Sequence, residues 1–92
     1  MLNTRALVTV VGIDKIGIIA QVTKVLADNR INIVDIRQTI LKDFFTMVLV
    51  ADLKECPHSL GEIQNQLEQL GRNIGVKITL QNEELFRSMH RI

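Results

Sequence analysis

The chain is short of aromatic side chains. Of its 92 residues three are phenylalanine, and tryptophan and tyrosine are absent. Because hydrophobic residues still make up 47% of the chain, the predicted core is aliphatic, built from Ile, Val and Leu. Modules that bind RNA by stacking bases on aromatic residues of their central strands need side chains that this sequence hardly has. The composition therefore argues against that mode of RNA binding.

Concentrated charge is also missing. Eleven basic and ten acidic residues give a net charge of +1, and the basic residues form no run. Electrostatic binding of nucleic acid needs a clustered basic surface, so we expect no nucleic-acid partner. The single cysteine, Cys56, excludes an internal disulfide and a cysteine-based zinc cluster, and it fits a reducing cytoplasm. His58 and His90 have no Cys or His at a metal-ligand spacing, so we predict no metal site.

Long apolar runs are absent as well. No stretch approaches the ~20 residues that a membrane span needs, and the start of the chain lacks the basic-then-apolar pattern of a signal peptide. We expect one small cytoplasmic domain over residues 1–92, with no membrane contact.

The most informative segment is 10–19. The β-branched run over 6–11 predicts a strand buried on both faces or nearly so, and residues 18–29 repeat with helical spacing. The predicted turn between them spans 12–16, with Asp14 as a plausible N-cap of the helix. Such a corner presents free backbone N–H groups at the positive end of the helix dipole, where an anion or a ligand carboxylate can bind.

Four further elements are expected. They are a strand over 31–41, a strand over 45–53, a helix that begins at Ser59 and stops at Gly71, and a strand over 75–81. Strict alternation puts Ile33 and Leu41 with Asp35 and Arg37 on one face of the second strand, and Val34, Ile36 and Ile40 with Asn32 and Gln38 on the other. Polar residues on both faces are typical of an edge strand, or of one that meets a partner or ligand.

The order β-α-β-β-α-β predicts an α+β fold, the ferredoxin-like sandwich, over a core of about 6–81. A four-stranded antiparallel sheet carries both helices on one face and has strands one and three in its centre. A short C-terminal helix is expected over about 82–91. Because the central strands also send valines to the face away from the helices, either that terminal helix or a second protomer must cover it, and the second option predicts a homodimer.

The pattern Gly12-x-Asp14-x-x-Gly17, followed by Asn32-Ile33-x-Asp35-Ile36, resembles the ACT domain. ACT domains are small modules that bind amino acids or similar metabolites and regulate enzymes and transcription. Three further features narrow the resemblance: Gln38-Thr39, the segment 44–47, and Phe86-x-x-Met89. Together they resemble the small uncharacterised stand-alone bacterial ACT proteins and, more distantly, the ACT pairs of the glycine-cleavage repressor group.

The resemblance implies a non-enzymatic regulatory module without a cofactor, which binds an amino acid or similar metabolite as a homodimer and regulates an enzyme or a regulator protein. The implied ligand-binding residues are Gly12, Ile13, Asp14, Lys15, Ile16 and Gly17, with Asn32 and Asp35 nearby or supplied across the dimer. The alternative function is a ligand-free interaction or dimerisation module that regulates a partner enzyme or transcription factor.

Structural roles compete for each of these residues. Asp14 can be a helix cap, the two glycines can serve turn geometry and close packing, and Lys15 can be solvated. An acylphosphatase on the same fold would need an arginine in the first turn, which offers only Lys15. Asp35 and Arg37, two apart on one strand face, can form an exposed pair of little energetic weight.

Overall fold

The computed structural model describes residues 4–13 and 16–84, apart from the side chain of Leu41. The predicted C-terminal helix over 82–91 lies outside these residues from position 85 onward. The elements are β1 (Arg5–Ile13), α1 (Ile18–Asp28), β2 (Asn32–Leu41), β3 (Phe44–Asp52), α2 (Leu60–Ile74) and β4 (Lys77–Asn82). The sheet order is β2-β3-β1-β4 with antiparallel neighbours throughout, so the ferredoxin-like fold with strands one and three in its centre is confirmed.

The core lies between the sheet and the two helices. Alternate residues of the central strands point into it, and the helices add residues at helical spacing: Val8, Val10, Met47 and Leu49 from the strands, and Val22, Leu26, Ile63 and Leu67 from the helices. Each of these side chains is at most 1% exposed. Full burial of one such side chain contributes about 1.5–3 kcal/mol, so this aliphatic layer provides much of the driving force for folding.

The second helix is longer than its glycines suggest. It begins as predicted at Ser59, whose Oγ accepts the Glu62 N–H at 3.2 Å. It then passes through Gly71 and ends at Gly75, which has φ 76°. The prediction of a stop at Gly71 was wrong because this buried glycine serves packing. A Cβ there would lie 2.6 Å from the carbonyl oxygen of Val76.

The first strand runs further than predicted. Gly12 and Ile13, which were expected in the turn, pair with Phe45 and Phe44, because β3 itself starts at Phe44. The prediction that both faces of this strand are buried, or nearly so, was also wrong. The face of the sheet away from the helices, called here the open face, carries half-exposed or exposed apolar side chains: Leu7, Val11, Ile13, Phe44, Val48 and Val50.

The second strand contains a β-bulge at Val34. Its pairing with β3 skips this residue between Ile33 and Asp35. The extra residue places Ile33 on the helix side together with Ile36, and it places Asn32 on the open face together with Asp35. Strict alternation predicted the reverse grouping and was wrong, because one inserted residue reverses the faces of everything before it.

Candidate functional site

The first helix starts at Gly17, which occupies the N-cap position with φ 87°. Its carbonyl oxygen accepts the Gln21 N–H at 3.0 Å, so the first turn of α1 is regular. The prediction of Asp14 as N-cap was wrong, since Gly17 holds that position. Asp14 and Lys15 lie outside the described residues. A left-handed backbone of this kind strains any residue with a Cβ, which explains the glycine.

Neither Gly17 nor the first turn of α1 supplies a negative charge at this end of the helix. A helix leaves its first four N–H groups without intrahelical partners, and its N-terminus carries roughly +0.5 charge. Gly17 has no side chain to cap these donors, and the first turn of α1 contains no acidic residue. The side chain of Ile18 is buried, whereas Ile19 is 37% exposed. The backbone N–H groups here can therefore bind a carboxylate or another small anion.

Exposed apolar side chains lie before and after the turn in the chain and on the neighbouring strand. Val11, Ile13, Ile16 and Phe44 are 42%, 55%, 102% and 56% exposed, and Ile13 pairs with Phe44 between β1 and β3. N–H donors at the start of α1, together with exposed apolar side chains at the end of β1, suit a small molecule that joins a carboxylate to an apolar part. Sequence reasoning missed Val11 and Phe44 as candidates, although the alternation of the first strand puts Val11 on the same face as Ile13.

The two glycines of the predicted site have structural reasons of their own. A Cβ on Gly12 would lie 2.5 Å from Cγ1 of Val76, so close packing explains this glycine. Gly17 is explained by its positive φ. The structural alternatives are therefore confirmed for both, and a ligand contact at either one stays a prediction.

Within one protomer, Asn32 and Asp35 lie far from the turn. Through β3, Gly12 is level with Ile40 of β2, whereas Asp35 is level with Leu7. Asp35 is thus five residues along the strand direction from Gly12, or about 17 Å at ~3.4 Å per residue. Asn32 lies further still. One protomer does not bring these residues together, so only a partner could place them at the turn.

Asp35 instead makes local contacts on β2. Its Oδ1 accepts the Ile36 N–H at 2.8 Å, and its Oδ2 lies 3.9 Å from Nε of Arg37. The side chains of Asp35 and Arg37 are 56% and 83% exposed. An ion pair this exposed contributes about 0–1 kcal/mol, so the contact leaves both side chains available to another partner.

The loop before α2 shows no activated thiol. The Cys56 thiol contacts the main-chain oxygen of His58 at 3.6 Å, and the His58 imidazole Nδ1 lies 3.0 Å from Glu62. The imidazole is thus engaged by a carboxylate and not by the thiol. Among residues 4–13 and 16–84, no group of three or more His, Cys, Asp or Glu side chains could hold a metal ion. In the same part of the chain, every helix is too short or too polar to span a bilayer.

A βαββαβ sandwich whose first helix starts at a glycine turn places the chain among the small ferredoxin-like domains. The sequence model of the ACT domain matches residues 4–81, and the chain belongs to the ACT domain family. The resemblance read from the glycine turn and the second strand is thereby confirmed. This family match indicates no catalytic family.

The similar proteins include two that this chain matches over nearly their whole length and one that is longer. A UPF0237 protein of Methanococcus maripaludis is 55% identical over 88 residues, which cover 96% of this chain and 98% of that protein. An ACT domain protein from Streptococcus pneumoniae is 38% identical, with a TM-score of 0.79 over 89% of this chain and 92% of that chain. A structure described as a glycine cleavage system transcriptional repressor has a TM-score of 0.74 over 84% of this chain and 44% of that chain. Its identity of 22% shows the fold alone.

Proposed function

We propose that this chain is a non-enzymatic regulatory module of the cytoplasm, which binds an amino acid or a similar small metabolite as a homodimer and controls an enzyme or a regulator protein. The observation that carries the proposal is the start of α1. Gly17 itself provides no side-chain cap for the first N–H groups, and the exposed Ile16 directly precedes it in the chain. Membership of the ACT family supports the same reading.

The proposed site comprises Gly12, Ile13, Asp14, Lys15, Ile16 and Gly17, with Asn32 and Asp35 contributed by a second protomer. The ligand carboxylate binds the N–H groups at the start of α1, where the helix dipole favours an anion. The ligand ammonium pairs with Asp14, and the side chain of the ligand contacts the exposed side chains of Ile13 and Ile16. Each part of an amino acid thus has a complementary group.

The first test is the thermal stability of the protein with each of the common L-amino acids, alongside its molar mass in solution. A ligand that binds only the folded state stabilises it by about 2.7 kcal/mol at a hundredfold excess over its Kd. For a domain of this size that raises the melting temperature by about 10–20 °C. A shift with one amino acid on a dimeric protein is the expected result, and no shift with any of them at millimolar concentration contradicts ligand binding.

Analogues of the amino acid that raises the melting temperature test the two polar contacts separately. The amide of that amino acid lacks the carboxylate and its N-acetyl form lacks the ammonium group, so both should lose the shift. The variant Asp14→Asn removes the charge proposed to pair with the ammonium and should also lose it. Asp43→Asn makes the same change in the exposed turn between β2 and β3 and should keep the shift.

One observation favours a second function, a ligand-free interaction module. The helix side of β2 exposes Ile36 and Ile40 at 40% and 62%, which is an apolar surface of the kind that partners cover. A dimer that responds to no metabolite would support this alternative. A monomer that responds to one amino acid would count against it.

A further inference from the structure

The last described residues of the chain begin a helix. β4 ends at Asn82, and the backbone is helical at Glu83 and Glu84. Oδ1 of Asn82 accepts the Glu84 N–H at 2.8 Å, which is the contact that an N-cap residue makes with the second residue of a helix. Two glutamates in the first turn also suit the positive end of the helix dipole. The chain continues for eight residues beyond Glu84.

The sequence of these eight residues has one apolar stripe at helical spacing. At about 100° per residue, its four apolar side chains fall within an arc of about 120°, and the polar side chains fall outside that arc. The apolar residues are Leu85, Phe86, Met89 and Ile92, and the polar residues are Arg87, Ser88, His90 and Arg91. So short a helix is marginal in water by itself, so the stripe needs an apolar surface within reach of Asn82.

The helix side of the sheet is already occupied at this end. Asn82 pairs with Ala6, and Ala6 pairs with Ala51. Both alanines are at most 1% exposed. Leu53 and Leu60, which flank the loop before α2, pack against the core and line one small cavity together with Asn82. A helix that starts at Asn82 therefore finds its free apolar surface on the other side of the sheet.

The open face offers that surface beside the last residues of β4. One row of paired residues crosses the face here, and its members from β4 to β2 are Gln81, Leu7, Val50 and Asp35. Leu7 and Val50 are only half-exposed, although α1 and α2 pack on the other face. Val11 and Ile13, towards the opposite end of the open face, are 42% and 55% exposed. This gradient fits a cover that lies over the Asn82 end alone.

We infer that residues 83–92 form a helix that crosses the open face above this row, from β4 towards β2. The sheet is about 14 Å wide from β4 to β2, because neighbouring strands lie about 4.8 Å apart. Ten helical residues at about 1.5 Å each span about 15 Å, so the two lengths match. On this scale Phe86 lies above β1 beside Leu7, and Met89 lies above β3 beside Val50.

The composition of the strands favours this path over one along β4. A helix that ran back along β4 would set its apolar stripe on Thr79 and Lys77, which share the open face with Gln81. The path across the strands sets the stripe on Leu7 and Val50 instead. Burial of apolar against apolar surface favours the crossing path.

The tether favours the chain's own segment over a second copy as the occupant. Residues 85–92 are joined to the edge of the row, so their docking does not lose the translational and rotational freedom that association costs. The inferred helix also stops short of Val11, Ile13 and Phe44, which lie towards the other end of the face. It therefore leaves the proposed ligand site open, and the inference is independent of that proposal.

Phe86 supplies a spectroscopic test, because an aromatic ring shifts the resonances of methyl groups packed against it. The chain has two other phenylalanines, Phe44 and Phe45, which pair with Ile13 and Gly12. Both lie five or six residues from the level of Leu7, or about 17–20 Å. A ring-shifted methyl resonance of Leu7 is therefore expected from Phe86 alone.

We expect the Leu7 methyl resonances of the wild type to be ring-shifted in a methyl NMR spectrum. Phe86→Leu keeps the apolar stripe and should return them towards their ordinary positions. The methyl resonances of Val11 are the internal control and should not move. Leu7 resonances that are unshifted in the wild type, or that are the same in both proteins, would overturn the inference.

A pair of double variants compares the two faces of the inferred helix. Phe86→Ser with Met89→Ser removes half of the apolar stripe and should lower the melting temperature by about 10 °C. Arg87→Ser with Arg91→Ser, on the polar face, costs at least as much helix propensity and should lower it by less than half as much. Equal losses from the two pairs would mean that the stripe is not buried.

Mixed labelling distinguishes the chain's own segment from that of a second copy. A nuclear Overhauser effect between the Met89 and Val50 methyl groups should appear in labelled chains diluted with an excess of unlabelled ones. It should not appear between chains in a 1:1 mixture of two chains that carry different methyl labels. A contact seen only between chains would make a second copy the occupant, and a missing contact would leave the face uncovered. Either result overturns the inference.

Discussion

At the scale of single residues, the clearest electrostatic feature is the carboxylate at the end of β3. The Thr4 hydroxyl donates to Oδ1 of Asp52 at 2.6 Å, and the Lys54 N–H donates to the same oxygen at 3.0 Å. These two hydrogen bonds, the first the stronger, hold the pKa of the Asp52 carboxyl below its usual value. Because the pKa is lowered on folding, the contact stabilises the fold above the unfolded-state pKa and is lost as pH falls through the lowered value.

Removal of the hydroxyl should return this pKa towards its usual value. We expect Thr4→Val to raise the pKa of Asp52, measured from the carboxyl carbon shift in an NMR titration, and to weaken the loss of stability in acid. Thr23→Val is the matched control, because Thr23 donates to helix carbonyls of α1 and not to a carboxylate. An Asp52 pKa that is the same in wild type and Thr4→Val would contradict the assignment.

At the scale of elements, two glycines in one helix have opposite surroundings. A Cβ on Gly71 would lie 2.6 Å from the main-chain oxygen of Val76, where only movement of β4 or α2 can relieve the contact. A Cβ on Gly61 would find its nearest neighbour, Oγ of Ser59, at 4.0 Å. Replacement by alanine should therefore change the free energy of unfolding in opposite directions at the two positions.

We expect Gly71→Ala to destabilise the protein by about 1–3 kcal/mol, because it overpacks the contact between α2 and β4. Gly61→Ala should be neutral or stabilise it by up to about 1 kcal/mol, since alanine is the better helix former. Urea unfolding of both variants measures the difference, provided that the slope of the transition is unchanged. Similar effects at both glycines would mean that helix propensity alone decides.

At the scale of the whole molecule, a small domain leaves much apolar surface outside its core. The open face and the β2 edge together expose Val11, Ile13, Ile36, Ile40 and Phe44. A domain of this length buries only about 60–65% of its unfolded surface, so its own margin of stability is narrow. In the proposed homodimer, burial of part of this surface would add to the stability of each protomer.

The proposed homodimer predicts a melting temperature that rises with protein concentration, because only folded chains dimerise. Calorimetry over a hundredfold range of wild-type concentration should show the rise. A wild-type midpoint that does not move with concentration would contradict a dimer linked to folding.

The sequence predicts local features of this molecule better than relations between distant segments. The order of strands and helices follows from alternation and helical spacing, and the glycine turn before α1 follows from residues adjacent in the chain. The bulge at Val34 has no such local signature, so the faces of Asn32 and Ile33 were exchanged. Whether the helix stops at Gly71 or Gly75 depends on how β4 packs against α2. The residues next to each glycine in the chain do not reveal this packing.

The candidate site divides in the same way. The turn from Gly12 to Gly17 could be found because its chemistry depends on a strand that ends and a helix that begins. The distance between that turn and Asp35 depends on strand register, which the residues do not encode locally. Its proposed role also depends on a second copy of the chain.

The bulge in β2 has a consequence for aggregation. The bulge interrupts regular pairing at Val34, so only the seven residues from Asp35 to Leu41 offer another strand a regular row of N–H and C=O groups. The other edge of the sheet is β4, a strand of six residues that starts with the charged Lys77. Short charged edges are poor templates for further strands. Both edges of the sheet therefore offer only a short regular segment, which disfavours the growth of folded chains into fibres.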